Sequence, residues 1–425
     1  MTEQLNLFSY SNDIIKYKIN KPIRLIELFA GIGSQAKALK NIGANFEHYR
    51  VVEWDKYAMN SYNAIHGTNF ETSDITKIHA SDLGIVDTLK YEYIMTYSFP
   101  CQDLSLAGKG KGMEKGSGTR SGLLWEVERI LNECDELPQV LLMENVSQVH
   151  SKKNIDDFKK WTNALEKMGY SNFWQDLNAK DYGIPQNRNR TFMISILGDY
   201  TYEFSKPVEL KLRLKDMLED EVDEKYFLSE DQIDRIQTSA FCQENKRIQT
   251  KDYCDMVLAR DYKDPKSVSV VRKFGIFDTE KSKHQAGSVY DKNGLSPTLD
   301  TMQGGWRQPC IEIKNATKKG YLEAIDGDGC YISNIDKKRG TVQKQMMPTI
   351  KTSLDVGVVV KSNIKNNFNN LRIRKLTPKE CWRLMGFDDE DFDKAMKINS
   401  NTQLYKQAGN SIVVNVLEEI FKQMM

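Results

Sequence analysis

Short apolar runs alternate with amphipathic stretches along the first 200 residues. Ile23-Arg24-Leu25-Ile26-Glu27-Leu28-Phe29 predicts a strand, Ala30–Gly33 a tight turn, and Ser34 onward a helix through Leu39. Tyr49-Arg50-Val51-Val52-Glu53 predicts a second strand, followed by a helix from about Lys56. The run Tyr93–Tyr97 reads as a buried strand, Gly122–Leu131 as a helix, and Val140–Met143 as another strand. A helix over Ile155–Met168 and a strand over Thr191–Ile196 complete the series. Strands alternating with helices predict an α/β fold, with a mostly parallel sheet covered on both faces. The first 22 residues read as a polar arm.

After about Asp199 the texture changes. Residues 249–360 are rich in β-formers and turns, which predicts a second, β-rich domain. Pro297-Thr298-Leu299-Asp300-Thr301 is echoed by Pro348-Thr349-Ile350-Lys351-Thr352, and an apolar strand follows each, Cys310–Ile313 and Val356–Val360. A fainter third copy is Met256–Arg260 followed by Val268–Val271, so similar β-units are expected. Helical texture then returns. Thr377-Pro378-Lys379-Glu380 is a capping box with proline at the first helical position, and Gly386 ends that helix. Ser411–Met424, introduced by Gly409-Asn410, predicts an amphipathic helix apolar enough to dock on the core of the first domain.

Composition narrows the class. A chain of 425 residues suits two domains, and 40% hydrophobic residues suffice for globular packing. No apolar run approaches the roughly 20 residues of a membrane helix, and no secretory signal is evident. Seven cysteines without a CxxC pair and five histidines argue for a reducing, cytoplasmic compartment and against a metal site. Net charge is only +1, but its distribution is uneven. Lys281 to Glu380 holds 18 Lys+Arg against 9 Asp+Glu, whereas Glu203 to Arg235 holds 6 against 11. Such a basic block suits phosphate contact and a solvated surface equally well.

Candidate chemistry collects at the ends of the predicted strands. Cys101 follows the Tyr93–Tyr97 strand after Ser98-Phe99-Pro100 and opens a Gly- and Lys-rich loop, Ala107–Gly112. A thiol there is placed to attack a bound substrate, although a lone cysteine is more often structural. Phe29-Ala30-Gly31-Ile32-Gly33 lies between a strand and a helix, where open α/β folds bind ligands, but it is not GxGxxG. Glu53 at the end of the next strand is placed for ribose hydroxyls, Trp54 for stacking on a flat base, and Asp74 for a base amino group. Singly each is weak; together they describe an adenosine pocket. Glu144-Asn145-Val146 puts a carboxylate at the same sheet edge as Cys101 if the two strands run parallel. In Gln186-Asn187-Arg188-Asn189-Arg190, strand alternation puts both arginines on one face, where they could bind phosphate or fix a carboxylate.

These residues, with Asp74-Ile75, Ser98–Gln102 and Gln407-Ala408-Gly409-Asn410-Ser411, resemble in motif order the DNA (cytosine-5) methyltransferases of bacteria and their phages. The likeness covers about residues 23–200 and 372–425. Gly31–Gln35 and Arg120–Glu126 look most like the CpG-methylating mollicute enzymes. The resemblance implies a Rossmann-like, S-adenosylmethionine-dependent sheet over 23–200. It also implies a variable region at 201–371 with a target-recognition domain at about 249–360, a helical connection at 372–400, and a segment at 401–425 that returns to the catalytic domain. It casts Cys101 as nucleophile, Glu144 as the group at cytosine N3, and Arg190 with Arg188 as positioning groups. Phe29, Gly31, Gly33, Glu53, Trp54, Asp74, Ile75, Pro100, Asn410 and Ser411 would hold the cofactor. Ser105, Lys109 and Lys111 in the loop, and Gln303 and Arg307 in the variable region, would meet double-stranded DNA. A monomer, with any cognate restriction endonuclease acting separately, is expected. The competing classes are another Rossmann-like enzyme such as an oxidoreductase, and a DNA-binding homologue without catalysis. The missing GxGxxG weighs against the first, and the presence of Cys101, Glu144 and Arg190 against the second.

Overall fold

In a computed structural model of the chain, the described residues are 15–101, 103–104, 112–226 and 376–425, together with the backbone of short strands between 266 and 375. A six-stranded sheet carries the first part. Its strands are β1 (Ile23–Leu28), β2 (Phe46–Val52), β3 (Glu92–Tyr97), β4 (Val140–Asn145), β5 (Tyr170–Asn178) and β6 (Asn189–Leu197), in spatial order β2-β1-β3-β4-β6-β5. The first four in that order are parallel, so β1 to β4 end on one edge. The sheet is nevertheless mixed, because β6 returns antiparallel between β4 and β5. Strand β5 has no apolar run to announce it. Ser171, Asn172, Gln175, Asp176 and Asn178 interrupt it, which an edge strand with exposed positions tolerates.

Alternation along the strands feeds two cores. Leu25, Ile94, Leu142 and Ile194 point to one face, while Ile26, Met95, Leu141 and Met193 point to the other. Besides the single turn Ala80–Leu83, the described helices are α1 (Ser34–Asn41), α2 (Lys56–His66), α3 (Leu124–Glu133), α4 (Ile155–Lys167), α5 (Pro378–Arg383), α6 (Asp389–Met396), α7 (Asn401–Asn410) and α8 (Val414–Lys422). The first core is covered by α1 and the C-terminal helices, the second by α3 and α4. Thr377 caps α5 in a reciprocal box with Glu380. Gly409 and Asn410, expected as a lead-in to a single last helix, instead finish α7, and α8 starts at Val414 and packs on α1.

Two segments expected outside this body lie on it. Ile15 and Lys16 pair in parallel with Tyr200 and Thr201, and Tyr17 is buried with its hydroxyl on Glu92, so residues 15–22 are not a free arm. Tyr202 and Met217 join the first core, which keeps the chain from 201 to 226 on the same body. Beyond residue 226, Lys266–Val268, Tyr290–Asp291 and Pro309–Glu312 form one sheet with Ile373–Lys375, a strand where the expected helical connection begins, and Gly329–Tyr331, Val342–Gln343 and Val356–Val358 form another. The strands that follow the two echoed Pro-Thr units therefore sit in different sheets, Pro309–Glu312 parallel to two neighbours and Val356–Val358 antiparallel to one. Among the described residues no helix is long and apolar enough to cross a membrane.

Candidate active site

The glycine turn leaves β1 in left-handed backbone: Phe29 has φ 59°, Gly31 59° and Gly33 81°. A phenylalanine held at positive φ marks strain of the kind found at ligand sites. Gly33 must be glycine, because a Cβ there would stand 2.3 Å from His66 Nε2. Gly31 is different: nothing lies within 4 Å of its Cβ position, so its outer side is open. The Glu53 carboxylate pins this turn, accepting from Gly31 N–H at 2.9 Å and Asp55 N–H at 2.8 Å. Burial raises its pKa, and those two backbone bonds pull it back down.

Trp54 beside it is 78% exposed, which sets aside a core role. Ser73 N–H donates to Glu53 O at 2.9 Å, bringing the Ser73-Asp74-Ile75 loop alongside, and Ser73 Oγ is buried without a partner. Asp74 is exposed, and its Oδ1 accepts from Thr76 N–H and Oγ1 at 3.1 and 2.8 Å; the backbone bond holds its pKa below the ordinary value. Ile75 is buried. An exposed indole, a half-buried carboxylate and open space at Gly31 are chemically suited to a nucleoside.

The second group of residues stands at the ends of β3 and β4. Asn145 Nδ2 donates to Phe99 O at 2.9 Å and Ser121 Oγ to Pro100 O at 2.6 Å, which fixes the segment carrying Cys101. The loop beyond is closed at its base, where Leu104 N–H donates to Cys101 O at 3.0 Å and Gly112 N–H to Asp103 O at 3.1 Å. Glu144, 8% exposed, pairs with Arg190 Nε at 3.2 Å. Burial raises the Glu144 pKa while the Arg190 and Arg188 charges oppose it. Burial likewise pushes the Cys101 thiol up, Arg190 and Arg188 pull it down, and Glu144 adds to the rise. Cys101, Glu144 and Arg190 thus feel one another electrostatically in a site where charge is poorly solvated.

Arg188 acts by charge on Cys101 and Glu144 and is also tied to the last helices. It is buried, and its Nη2 donates to Gly409 O at 3.1 Å and Ser411 O at 2.8 Å. Those carbonyls end α7, where the negative end of the helix dipole favours a cation. Ser411 is buried with its hydroxyl on Gln407 O, and Asn410 is exposed beside it. Asn145, Ser121 and Asp103 each hold backbone around the site, and the sequence signals them only by adjacency to Glu144 and to the Pro100-Cys101 turn. Ser105, Lys109, Lys111, Gln303 and Arg307 lie outside the described residues.

Comparison with known proteins finds likeness over nearly the whole chain. A sequence model of the C-5 cytosine-specific DNA methylase family matches residues 23–425. The orphan methyltransferase M.SssI of Spiroplasma monobiae is 36% identical over 458 residues, covering 94% of this chain and 96% of its own. The type II methyltransferase M.HhaI of Haemophilus parahaemolyticus is 30% identical over 412 residues, covering 96% and 95%. The orphan methyltransferase M.SPBetaI of Bacillus phage SPbeta is 30% identical, covering 95% and 97%. Among solved structures, the Entamoeba histolytica methyltransferase EhMeth shares the fold with a TM-score of 0.61 at 16% identity, covering 95% of this chain and 98% of its own.

Proposed function

This chain belongs to the C-5 cytosine-specific DNA methylase family, and from that premise we propose that it methylates a flipped-out cytosine in duplex DNA through a covalent Cys101–C6 adduct. The observation that carries the reading is the buried Arg190–Glu144 pair set beside Cys101 at one sheet edge. A cytosine in a duplex hides its reacting carbon, so the base must leave the stack to reach that edge.

S-adenosylmethionine, when bound, would supply an electrophilic methyl carbon on a sulfonium sulfur. Phe29, Gly31 and Gly33 would shape the turn against it, Glu53 would take its ribose, Trp54 would stack on its adenine, and Asp74 and Ile75 would complete the base pocket. Pro100 borders it, and Asn410 and Ser411 close it from the C-terminal side. Cys101 gives up its proton to solvent and its sulfur bonds to C6; the C5–C6 π pair shifts to C4–C5, the C4–N3 π pair shifts onto N3, and Glu144 delivers a proton there. C5 becomes electron-rich, and C5 is the carbon this family methylates. Once C5 carries the methyl group, loss of the C5 proton to water, release of the sulfur as thiolate and return of the N3 proton to Glu144 restore the aromatic ring. Arg190 holds Glu144 in place throughout; burial raises the carboxyl's pKa, and the Arg190 and Arg188 charges oppose that rise.

Ser105, Lys109 and Lys111 act in DNA binding. Residues 249–360, including Gln303 and Arg307, choose the sequence, which we take to be short and to place a G beside the target C. The enzyme works as a monomer in the cytoplasm, for restriction-modification or protection of phage DNA. Bisulfite sequencing of DNA from cells expressing the protein tests the reading. Methylated cytosines at one short motif are expected, and their absence in Cys101→Ser cells. Unmethylated DNA from wild-type cells with folded protein would overturn it.

A further inference from the structure

Helix α7 lies between the two groups of site residues. Lys406 pairs with Asp55 Oδ2 across 351 residues of chain. Gln407 Nε2 donates to Tyr57 O at 2.9 Å, and its Oε1 accepts from Ser61 Oγ at 3.0 Å. Asp55 directly follows Trp54. Its Oδ1 caps α2 by accepting from Tyr57 and Ala58 N–H at 2.9 and 3.4 Å, and its own N–H goes to Glu53. The three residues Glu53, Trp54 and Asp55 therefore form one turn whose two carboxylates are both committed, while the indole between them stands in solvent. At the far end of α7, Arg188 grips Gly409 O and Ser411 O, two residues from the Arg190 that carries Glu144. Burial pushes the Asp55 carboxyl up, but the Lys406 ammonium and the capping N–H groups outweigh it and keep it ionised.

We propose that Lys406 is a positioning residue for the cofactor: paired with Asp55, it fixes the Glu53-Trp54-Asp55 turn so that indole and carboxylate are preset for an adenosine. The inference rests on the reading of Glu53 and Trp54 given under Proposed function. The cap on α2 uses Asp55 Oδ1, so the helix start survives without Lys406; what is lost is the restraint on the other oxygen. Presetting a site lowers the ordering cost of binding.

The test is calorimetric titration of the full-length enzyme with S-adenosylhomocysteine, which binds without chemistry. Lys406→Met should weaken binding about tenfold, and Lys406→Arg should restore it to within about threefold, because contacting charges couple. Asp55→Asn keeps the cap, loses the charge and should weaken binding by a similar factor. It also reads the pair should Lys406→Met fold poorly. The double variant should bind no worse than the weaker single one. A dissociation constant within about twofold of wild type for folded Lys406→Met, or additive losses in the double variant, would overturn the proposal. Trp54→Ala is titrated alongside. If it binds as wild type, the adenosine reading itself falls; if it loses affinity while Lys406→Met does not, only the role of Lys406 falls.

Discussion

At the glycine turn, Glu53 is held by backbone N–H groups of Asp55, two residues on, and Gly31, 22 residues back. At the cysteine turn, Glu144 is held by a guanidinium on another strand, and the Cys101 segment by Asn145 of β4. The first arrangement is stitched from fixed dipoles and leaves an open, aromatic surface. The second sets charges against one another in a buried place, where each ionisation shifts the next. Backbone donors hold a shape whatever the protonation state nearby. A carboxylate–guanidinium pair instead shifts with the charge beside it, so binding and chemistry should respond to different mutations.

The sharpest separation is expected at Glu144. Glu144→Gln keeps shape and removes the titrating group, and loss of a carboxyl acting in proton transfer costs about 10²–10⁴-fold in turnover. Cofactor affinity should stay near wild type in the same titrations. Unchanged turnover would reduce Glu144 to a structural partner of Arg190.

Beneath the glycine turn, a pH response of opposite character is expected. Glu27 is buried, accepting from the Tyr62 hydroxyl and from Ala36 N–H at the start of α1, and burial lifts its pKa to about 7. Glu92, near Tyr17 and Lys21, is lifted by burial to about 7 as well. The native state then carries more protons than the unfolded chain between the ordinary pKa of 4.5 and about 7. Stability therefore falls as pH rises through that window and levels off above it. Glu27→Gln should flatten that fall by about 3 kcal/mol at most, read by urea unfolding at pH 5 and pH 8. An identical pH difference in the variant would show that Glu27 ionises normally.

At the open surface the effect should be smaller and confined to binding. Stacking of a base on an aromatic ring is worth about 1–3 kcal/mol. Trp54→Ala should accordingly raise the cofactor dissociation constant, and turnover at saturating cofactor should hold within about threefold. Most of the tryptophan fluorescence change on cofactor binding should disappear too. A fluorescence response that survives intact would place the adenosine elsewhere.

Much of this contrast was legible in the sequence because it is local. The run Ile23–Leu28 and the glycines after it announce a strand and a turn, and the apolar runs ending near Cys101 and Glu144 announce parallel neighbours with a shared edge. Distant pairings leave no such trace. Strand β5 is too polar to show a period, yet it is needed to carry β6 back antiparallel. Arg188 and Arg190 look alike in the sequence. Only the approach of α7 turns Arg188 to carbonyls and leaves Arg190 on the carboxylate. Lys406 and Asp55 show nothing until the last helices fold back onto α2.

The central claim is that Cys101 bonds to cytosine C6, and 5-fluorocytosine tests it most directly. Fluorine at C5 cannot leave as the proton does, so the adduct should persist after methyl transfer. Incubated with cofactor and duplex DNA carrying 5-fluorocytosine at the methylated position, the wild-type enzyme should form a complex that survives denaturing electrophoresis. Peptide mapping should find the DNA on Cys101, and Cys101→Ser should form none. A wild-type enzyme that methylates ordinary DNA yet forms no denaturant-stable complex, or one attached at another residue, would contradict the account.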